Sequence, residues 1–215
     1  MILSRDRSYI FVHIPKTGGS SLALALEGRA TASDLLIGDT PKAQRRRGRV
    51  AALRGQARGR LWKHSTLADL DGIVTPEEIA RLFTVTLVRN PWDRMVSYYA
   101  WARAQAFDHP AVRLAQSVEF AAFLAAPETR AAWTAQPARH YMTAADGQER
   151  CRLFIRLERA EEDAAPLWDH LGFRLALPHV NVSQRGAYRA YYSDRDAATL
   201  AEIAAEDIAR FGYAF

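Results

Sequence analysis

Cysteine is almost absent. Cys151 stands alone among 215 residues, so no disulfide can close within the chain and a disulfide-stapled scaffold is excluded. Its place just ahead of Arg152-Leu153-Phe154-Ile155 predicts a small buried residue at the edge of a strand. Long apolar runs are missing too: no stretch approaches the length needed to cross a bilayer. Met1 to Arg7 has neither the charged start, the apolar stretch nor the small-residue cleavage site of a signal peptide. The expectation is a cytoplasmic protein in a compartment that can be reducing. No internal repeat is visible, and nothing marks a second domain.

Acidic residues are missing from one place in particular. Between Lys42 and Arg60 the chain carries Lys42, Arg45, Arg46, Arg47, Arg49, Arg54, Arg58 and Arg60 and no carboxylate. The whole chain is only +5, so the basicity is local. A solvated face would explain it, and so would a docking strip for an anionic acceptor such as an acidic polysaccharide. Nucleic acid would draw on the same charges, but the strip has no aromatic residue for base stacking and matches no binding motif.

The composition that is present suits one compact domain spanning 1–215, with 49% hydrophobic and 25% charged residues. Two segments carry chemistry. In the first, the apolar run Tyr9-Ile10-Phe11-Val12-His13-Ile14 enters Pro15-Lys16-Thr17-Gly18-Gly19-Ser20-Ser21 and then the helix-like Leu22 to Leu26. Glycines at such a junction let the backbone approach a ligand, and the first N–H groups and positive end of the helix face one tetrahedral anion. Lys16 adds a charge, and Thr17, Ser20 and Ser21 add hydroxyls. The lysine precedes the glycines, which is not the order of the nucleoside-triphosphate loop.

In the second segment the apolar run Thr84 to Val88 ends in Arg89-Asn90-Pro91-Trp92-Asp93-Arg94-Met95-Val96-Ser97-Tyr98-Tyr99. Asn90 suits a helix cap, Pro91 the first helical position and Asp93 the first turn. Ser97 falls one turn beyond Asp93, within reach of a phosphate shared with Arg89.

Together these two elements resemble the sulfotransferases that use 3′-phosphoadenosine 5′-phosphosulfate (PAPS), and among them the branch of glycan 2-O-sulfotransferases. The resemblance implies a three-layer α/β fold with a central, mainly parallel sheet flanked by helices, akin to the P-loop folds. It implies that Lys16, Thr17, Gly18, Gly19, Ser20 and Ser21 hold the 5′-phosphosulfate, and that Arg89 and Ser97 hold the 3′-phosphate. His64, in Leu61-Trp62-Lys63-His64-Ser65-Thr66-Leu67, occupies the place of that branch's catalytic base. Asn181, Ser183 and Arg185, in Leu177-Pro178-His179-Val180-Asn181-Val182-Ser183-Gln184-Arg185, look like the nucleotide contacts of the C-terminal portion. The implied reaction is in-line transfer of a sulfuryl group from PAPS to an acceptor hydroxyl, with no metal; the branch and the basic strip favour a carbohydrate, but a lipid, a peptide tyrosine or a small metabolite would satisfy the same chemistry. Residues 29–60 and 104–138 match nothing in the family, so acceptor specificity is expected there.

Several assignments have rivals. Arg89 and Arg94 are able to pair with Asp93 or another carboxylate instead of phosphate, and Arg94, on a different helical face, is read as structural. His13 is the reserve base, although its place in a strand favours packing or loop support. Trp92, Tyr98, Tyr99 and Trp101 read as core. A kinase would also use strand, anion loop and helix, but with its lysine after the glycines and a carboxylate for magnesium. A non-catalytic nucleotide- or glycan-binding protein would keep the loops without a base.

The remaining pattern predicts helices from Thr75 to about Leu82 with a capping box to Glu78, from Ser117 to Ala126, and from Glu161 to Leu171 with Gly172 as terminator. Leu200, Ile203, Ile208 and Phe211 predict one final amphipathic helix. The segment from about Arg29 to Arg60 reads as irregular.

Overall fold

The computed structural model describes residues 1–178 and 185–215. The strands are β1 (Ile2–Ser4), β2 (Tyr9–Val12), β3 (Leu35–Leu36), β4 (Phe83–Val88) and β5 (Leu153–Arg156). The helices are α1 (Gly19–Gly28), α2 (Pro41–Arg45), α3 (Arg47–Leu53), α4 (Pro76–Arg81), α5 (Pro91–Arg103), α6 (Pro110–Ser117), α7 (Phe120–Ala125), α8 (Pro127–Thr134), α9 (Ala138–Met142), α10 (Ala160–Asp163), α11 (Ala165–Leu171), α12 (Asp194–Ile203) and α13 (Ala205–Phe211). The chain separates into two compact units, Met1–Val88 with Ala138–Val180 and Arg89–Pro137 with Asn181–Phe215.

The first unit is α/β, as the alternating pattern predicts. Its sheet runs β3-β1-β2-β4-β5. β2 and β4 pair in parallel from Tyr9 against Phe83 to Val12 against Thr86, and β4 and β5 pair in parallel from Val85 against Leu153. β1 and β3 add an antiparallel edge. Tyr9, Ile10, Phe11 and Val12 are all at most 1% exposed, so both faces of β2 are covered, as parallel strands require. On one face Phe11, Val85, Leu87 and Ile155 pack with Leu22, Ala23 and Leu26 of α1 and Leu167, Trp168 and Leu171 of α11. Because β2 and β4 are parallel neighbours, both leave the sheet at the same edge. In open α/β sheets that carboxyl edge is where ligands bind.

The second unit is helical. Trp92, Met95, Val96 and Tyr99 of α5 form its core with Phe120, Phe123 and Leu124 of α7 and Ala197, Leu200 and Ile203 of α12. Tyr98 and Trp101 lie against that cluster, half-buried. Of the aromatics read as core from sequence, Trp92 and Tyr99 are buried in it, while Tyr98 and Trp101 border it.

Five local expectations are corrected. Arg29 to Arg60 is not irregular, because it holds β3, α2 and α3, the middle one started by Thr40, whose hydroxyl accepts from the Ala43 N–H. The run from Ser117 to Ala126 is split. Val118 is extended and its carbonyl accepts from the Tyr99 hydroxyl at 2.8 Å, so the helix restarts at Phe120. The run from Glu161 to Leu171 is interrupted at Ala164, just before Pro166, whose missing N–H cannot continue the ladder. The final stripe is broken at Ala204, which leaves helical geometry between α12 and α13. Elsewhere the local signals hold: Thr75 caps α4 and Gly172 closes α11 at φ 75°. The Glu78 carboxylate pairs with Arg5 rather than completing the box. Among the described residues no helix is long and apolar enough to cross a membrane.

Candidate functional site

The chain leaves β2 at Val12 and turns through Pro15 and Lys16 into α1. Lys16 is left-handed at φ 65° and Gly18 at φ 82°. For a lysine that conformation is strained, by about 1–3 kcal/mol, and such strain concentrates at functional sites. The turn is held in three ways. The Thr17 hydroxyl donates to the Ile14 carbonyl at 2.9 Å. Gly18 lies so near Leu157 that an added Cβ would stand 2.6 Å from Leu157 Cδ1. Gly19 lies against His13, where a Cβ would stand 2.2 Å from Cδ2 and 2.7 Å from Nε2.

Behind this turn α1 is fixed by its buried Leu22, Ala23 and Leu26. Its N-terminus has no side-chain cap and no acidic residue in the first turn. Thr40, Thr75, Asn90, His109 and Ser193 cap α2, α4, α5, α6 and α12, whereas α3, α7, α8, α10, α11 and α13 share with α1 the lack of a side-chain cap. An uncapped, rigidly held helix start beside a lysine is electrostatically suited to an anion. Lys16, Gly18, Ser20 and Ser21 stay partly exposed there, while Thr17 and Gly19 are buried. Thr17 differs from the sequence reading in that its hydroxyl is committed to the Ile14 carbonyl.

His64 belongs to the same unit. Its Nδ1 lies 2.8 Å from the main-chain oxygen of His13. A carbonyl only accepts, so Nδ1 carries the proton and Nε2 the lone pair. The ring meets His13 edge to face at 4.8 Å and Trp62 at 5.0 Å between centroids. Burial, followed by the Lys63 charge, lowers the His64 pKa to about 4 against the partly compensating bond to His13. The imidazole is therefore neutral at pH 7. Lys63 itself is paired with Asp39. Trp62 is 40% exposed and lies under the Arg60 guanidinium, 4.8 Å from its ring.

The second segment builds a start of the expected kind in the helical unit. Asn90 Oδ1 accepts from the N–H groups of Trp92 and Asp93, with Pro91 opening α5. Arg89 donates through Nε to Asp93 Oδ2 at 2.8 Å, and Arg185 donates to Asp93 Oδ1. One carboxylate thus gathers two arginines that are 96 positions apart in sequence. Ser97, one turn further along α5, is buried. Arg94 faces elsewhere, over Trp133 at 4.8 Å and 4.0 Å from Asp207, in keeping with its structural reading. Asn181 and Ser183 lie outside the described residues.

Sequence reasoning weighed Asp93 as a partner for Arg89 but missed that it also gathers Arg185, a contact no local spacing signals. It also missed Leu157 as the support for Gly18. Exposed Trp62 was readable only as a flank of His64.

The basic stretch is largely on the surface. Arg45, Arg47, Arg49, Arg54, Arg58 and Arg60 are exposed, while Arg46 donates to the Thr31 carbonyl at 2.7 Å and Lys42 to that of Glu27. Cys151 is half-buried just before β5. Among the described residues no group of His, Cys, Asp and Glu is arranged to hold a metal ion.

Neither the protein-family models nor the curated proteins give a match to this chain. Solved structures do. A mouse sulfotransferase, SULT7A1, in complex with PAP superposes with a TM-score of 0.52 over 95% of this chain and 86% of that one, at 14% sequence identity. The chain therefore has a sulfotransferase-like α/β fold, with a mixed, mostly parallel sheet between helices.

Proposed function

We propose that the protein is a PAPS-dependent sulfotransferase, residues 1–215 acting as one catalytic domain, that transfers a sulfuryl group to an acceptor hydroxyl on a carbohydrate. The observation that carries this reading is the turn after β2, where a left-handed Lys16 and an uncapped α1 start lie in the same unit as His64, which is held on the His13 carbonyl. The cradle at α1 suits a tetrahedral anion because its helix start is uncapped and has no acidic residue in its first turn, while Gly18 and Gly19 hold the turn close against Leu157 and His13.

Bound PAPS supplies a sulfuryl group activated by its link to phosphate. In the proposed arrangement Lys16, the main chain from Thr17 to Gly19, and Ser20 and Ser21 hold the phosphosulfate. Lys16 neutralises charge on the bridging oxygen as the sulfur–oxygen bond to the phosphate breaks. His64 Nε2 accepts the acceptor's hydroxyl proton as the new sulfur–oxygen bond forms. Arg89, Ser97 and Arg185 hold the 3′-phosphate, with Asn181 and Ser183 as further nucleotide contacts. Such transfer asks mainly for positioning and charge stabilisation, and no role here calls for a metal. The reading toward a carbohydrate of the glycan 2-O type, acidic in character, is supported by the exposed arginines of 45–60 and by Arg60 stacked on exposed Trp62 beside His64.

The test is sulfation from PAPS by the purified protein with a chelator present, run beside ATP with magnesium. Turnover of PAPS alone supports the proposal. Phosphoryl transfer from ATP, or PAP binding with no turnover on any hydroxyl acceptor, overturns it in favour of a kinase or of a binding protein.

A further inference from the structure

The His13 imidazole has no role in the reaction just described, yet its setting is unusual. It follows β2 directly and is 8% exposed. Its main-chain oxygen holds His64, but its ring nitrogens make no hydrogen bond to any described residue. The ring stacks near Phe11 and meets His64 edge to face, while its Cδ2–Nε2 edge lies against Gly19, the first residue of α1. A group needed only as a wedge at this position, with Phe11, Val12 and Ile14 around it in sequence, would be apolar. Among the described residues only Arg7 Nε and Arg150 Nε are buried side-chain polar atoms without a partner, so the unbonded His13 nitrogens are not sealed off and an N–H there is open to a ligand. Burial first, then the nearby His64 and lysine charges, keep the ring neutral, so it can offer one N–H without adding charge.

We infer that His13 is a further ligand of the transferred group: neutral, with its proton on Nε2, it donates a hydrogen bond to an oxygen of the sulfuryl group seated at the N-terminus of α1. The inference rests on the sulfuryl-transfer reading. It adds to the uncapped helix start and Lys16 a side-chain donor that meets the group being transferred rather than the nucleotide. The same residue also holds the base through its carbonyl, so one position ties the donor cradle to the proton acceptor. The reaction's balance is unchanged, since His13 neither gains nor loses a proton.

Two substitutions separate a donor from a wedge. His13→Phe keeps the ring's volume and removes the N–H, whereas His13→Gln returns an amide N–H close to the Nε2 position. For His13→Phe, kcat should fall about 100-fold, as for loss of one donor to a developing anion. The affinity for PAP, which lacks the sulfuryl group, should stay within about twofold of the unaltered protein, because His13 meets the sulfuryl oxygen alone. His13→Gln should recover at least about tenfold of the loss. A second readout needs no turnover: inorganic sulfate, added with and without PAP, should move the 15N resonance of His13 Nε2.

The inference is overturned if His13→Phe keeps full kcat, if it loses PAP affinity in proportion to kcat, or if sulfate leaves the His13 resonance in place. Failure of the unaltered protein to use PAPS would sink the sulfotransferase reading instead. The sulfate titration would then still decide whether His13 faces a tetrahedral anion.

Discussion

The Nδ1 proton of His64 is held by the main-chain oxygen of His13 at 2.8 Å, so the imidazole can accept a proton only through Nε2. Its pKa, lowered to about 4 mainly by burial, keeps that nitrogen free at pH 7 but makes it a weak base. A bound phosphosulfate would bring negative charge nearby and raise the pKa again. Histidine resonances followed by NMR as a function of pH should therefore show His64 titrating higher with PAP present than without. An unchanged midpoint would count against His64 bordering the nucleotide.

The same lowered pKa has a stability consequence with a definite sign. Between the ordinary histidine pKa of 6.5 and the folded value of about 4, the unfolded chain takes up a proton that native His64 refuses. Stability from the neutral ring is thus complete above about pH 6.5 and lost as pH falls toward 4, at up to about 1.4 kcal/mol per pH unit for one proton. His13, lowered in the same direction by burial, adds to the loss. His64→Asn should flatten the fall in melting temperature over this window without abolishing it. An identical slope in the variant would show that His64 is not the group concerned.

Binding and turnover should separate by residue. Lys16→Ala and Arg89→Ala should each weaken PAP binding by about tenfold or more, the worth of one charge-assisted contact. His64→Ala should leave PAP affinity unchanged and remove turnover. Calorimetry with PAP and initial rates with PAPS are sufficient to check this. Full activity in His64→Ala would remove the base assignment and leave the cofactor assignment standing.

Asp93 should matter although it carries the same sign of charge as a phosphate. Its carboxylate accepts from Arg89 and Arg185 and so sets the direction of both guanidinium groups before any phosphate arrives. Asp93→Asn keeps the shape but takes away the charge that gathers them, and PAP affinity should fall by about tenfold. Tighter binding in the variant would mean that Asp93 competes with the ligand instead of preparing for it.

What the sequence made legible was local. Strand, glycine turn and helix at 9–26, and strand, Asn-Pro cap and helix at 84–99, depend on neighbours in the chain, and both were readable from residue types. The α/β class followed from the same alternation. What escaped was decided by distant partners. Val118 leaves helical geometry with its carbonyl on Tyr99, and Arg185 reaches Asp93 across the sequence. The Ala204 break separates a stripe whose periodicity alone gives no reason to stop. The His64 tautomer likewise depends on a carbonyl 51 residues away, which no spacing rule supplies.

The two ends of α1 offer a sharp test of the cradle. Gly19 begins the helix and Gly28 ends it, and both are ordinary right-handed positions with no positive φ. A methyl on Gly28 meets nothing within 4 Å, whereas one on Gly19 would stand 2.2 Å from His13 Cδ2. Conformation is thus equal at the two sites and only space differs. Gly28→Ala should leave stability within about 0.5 kcal/mol of the parent, as for a surface change away from any special feature. Gly19→Ala must move the His13 ring or the helix start, at about 1–3 kcal/mol of overpacking. Because His13 carries His64 on its carbonyl, the same methyl should also disturb His64, lowering kcat. Urea unfolding with PAPS turnover measures both. A Gly19→Ala protein with parental stability and activity would show that the turn, and the packing of His13 on it, is not the rigid anion seat argued above.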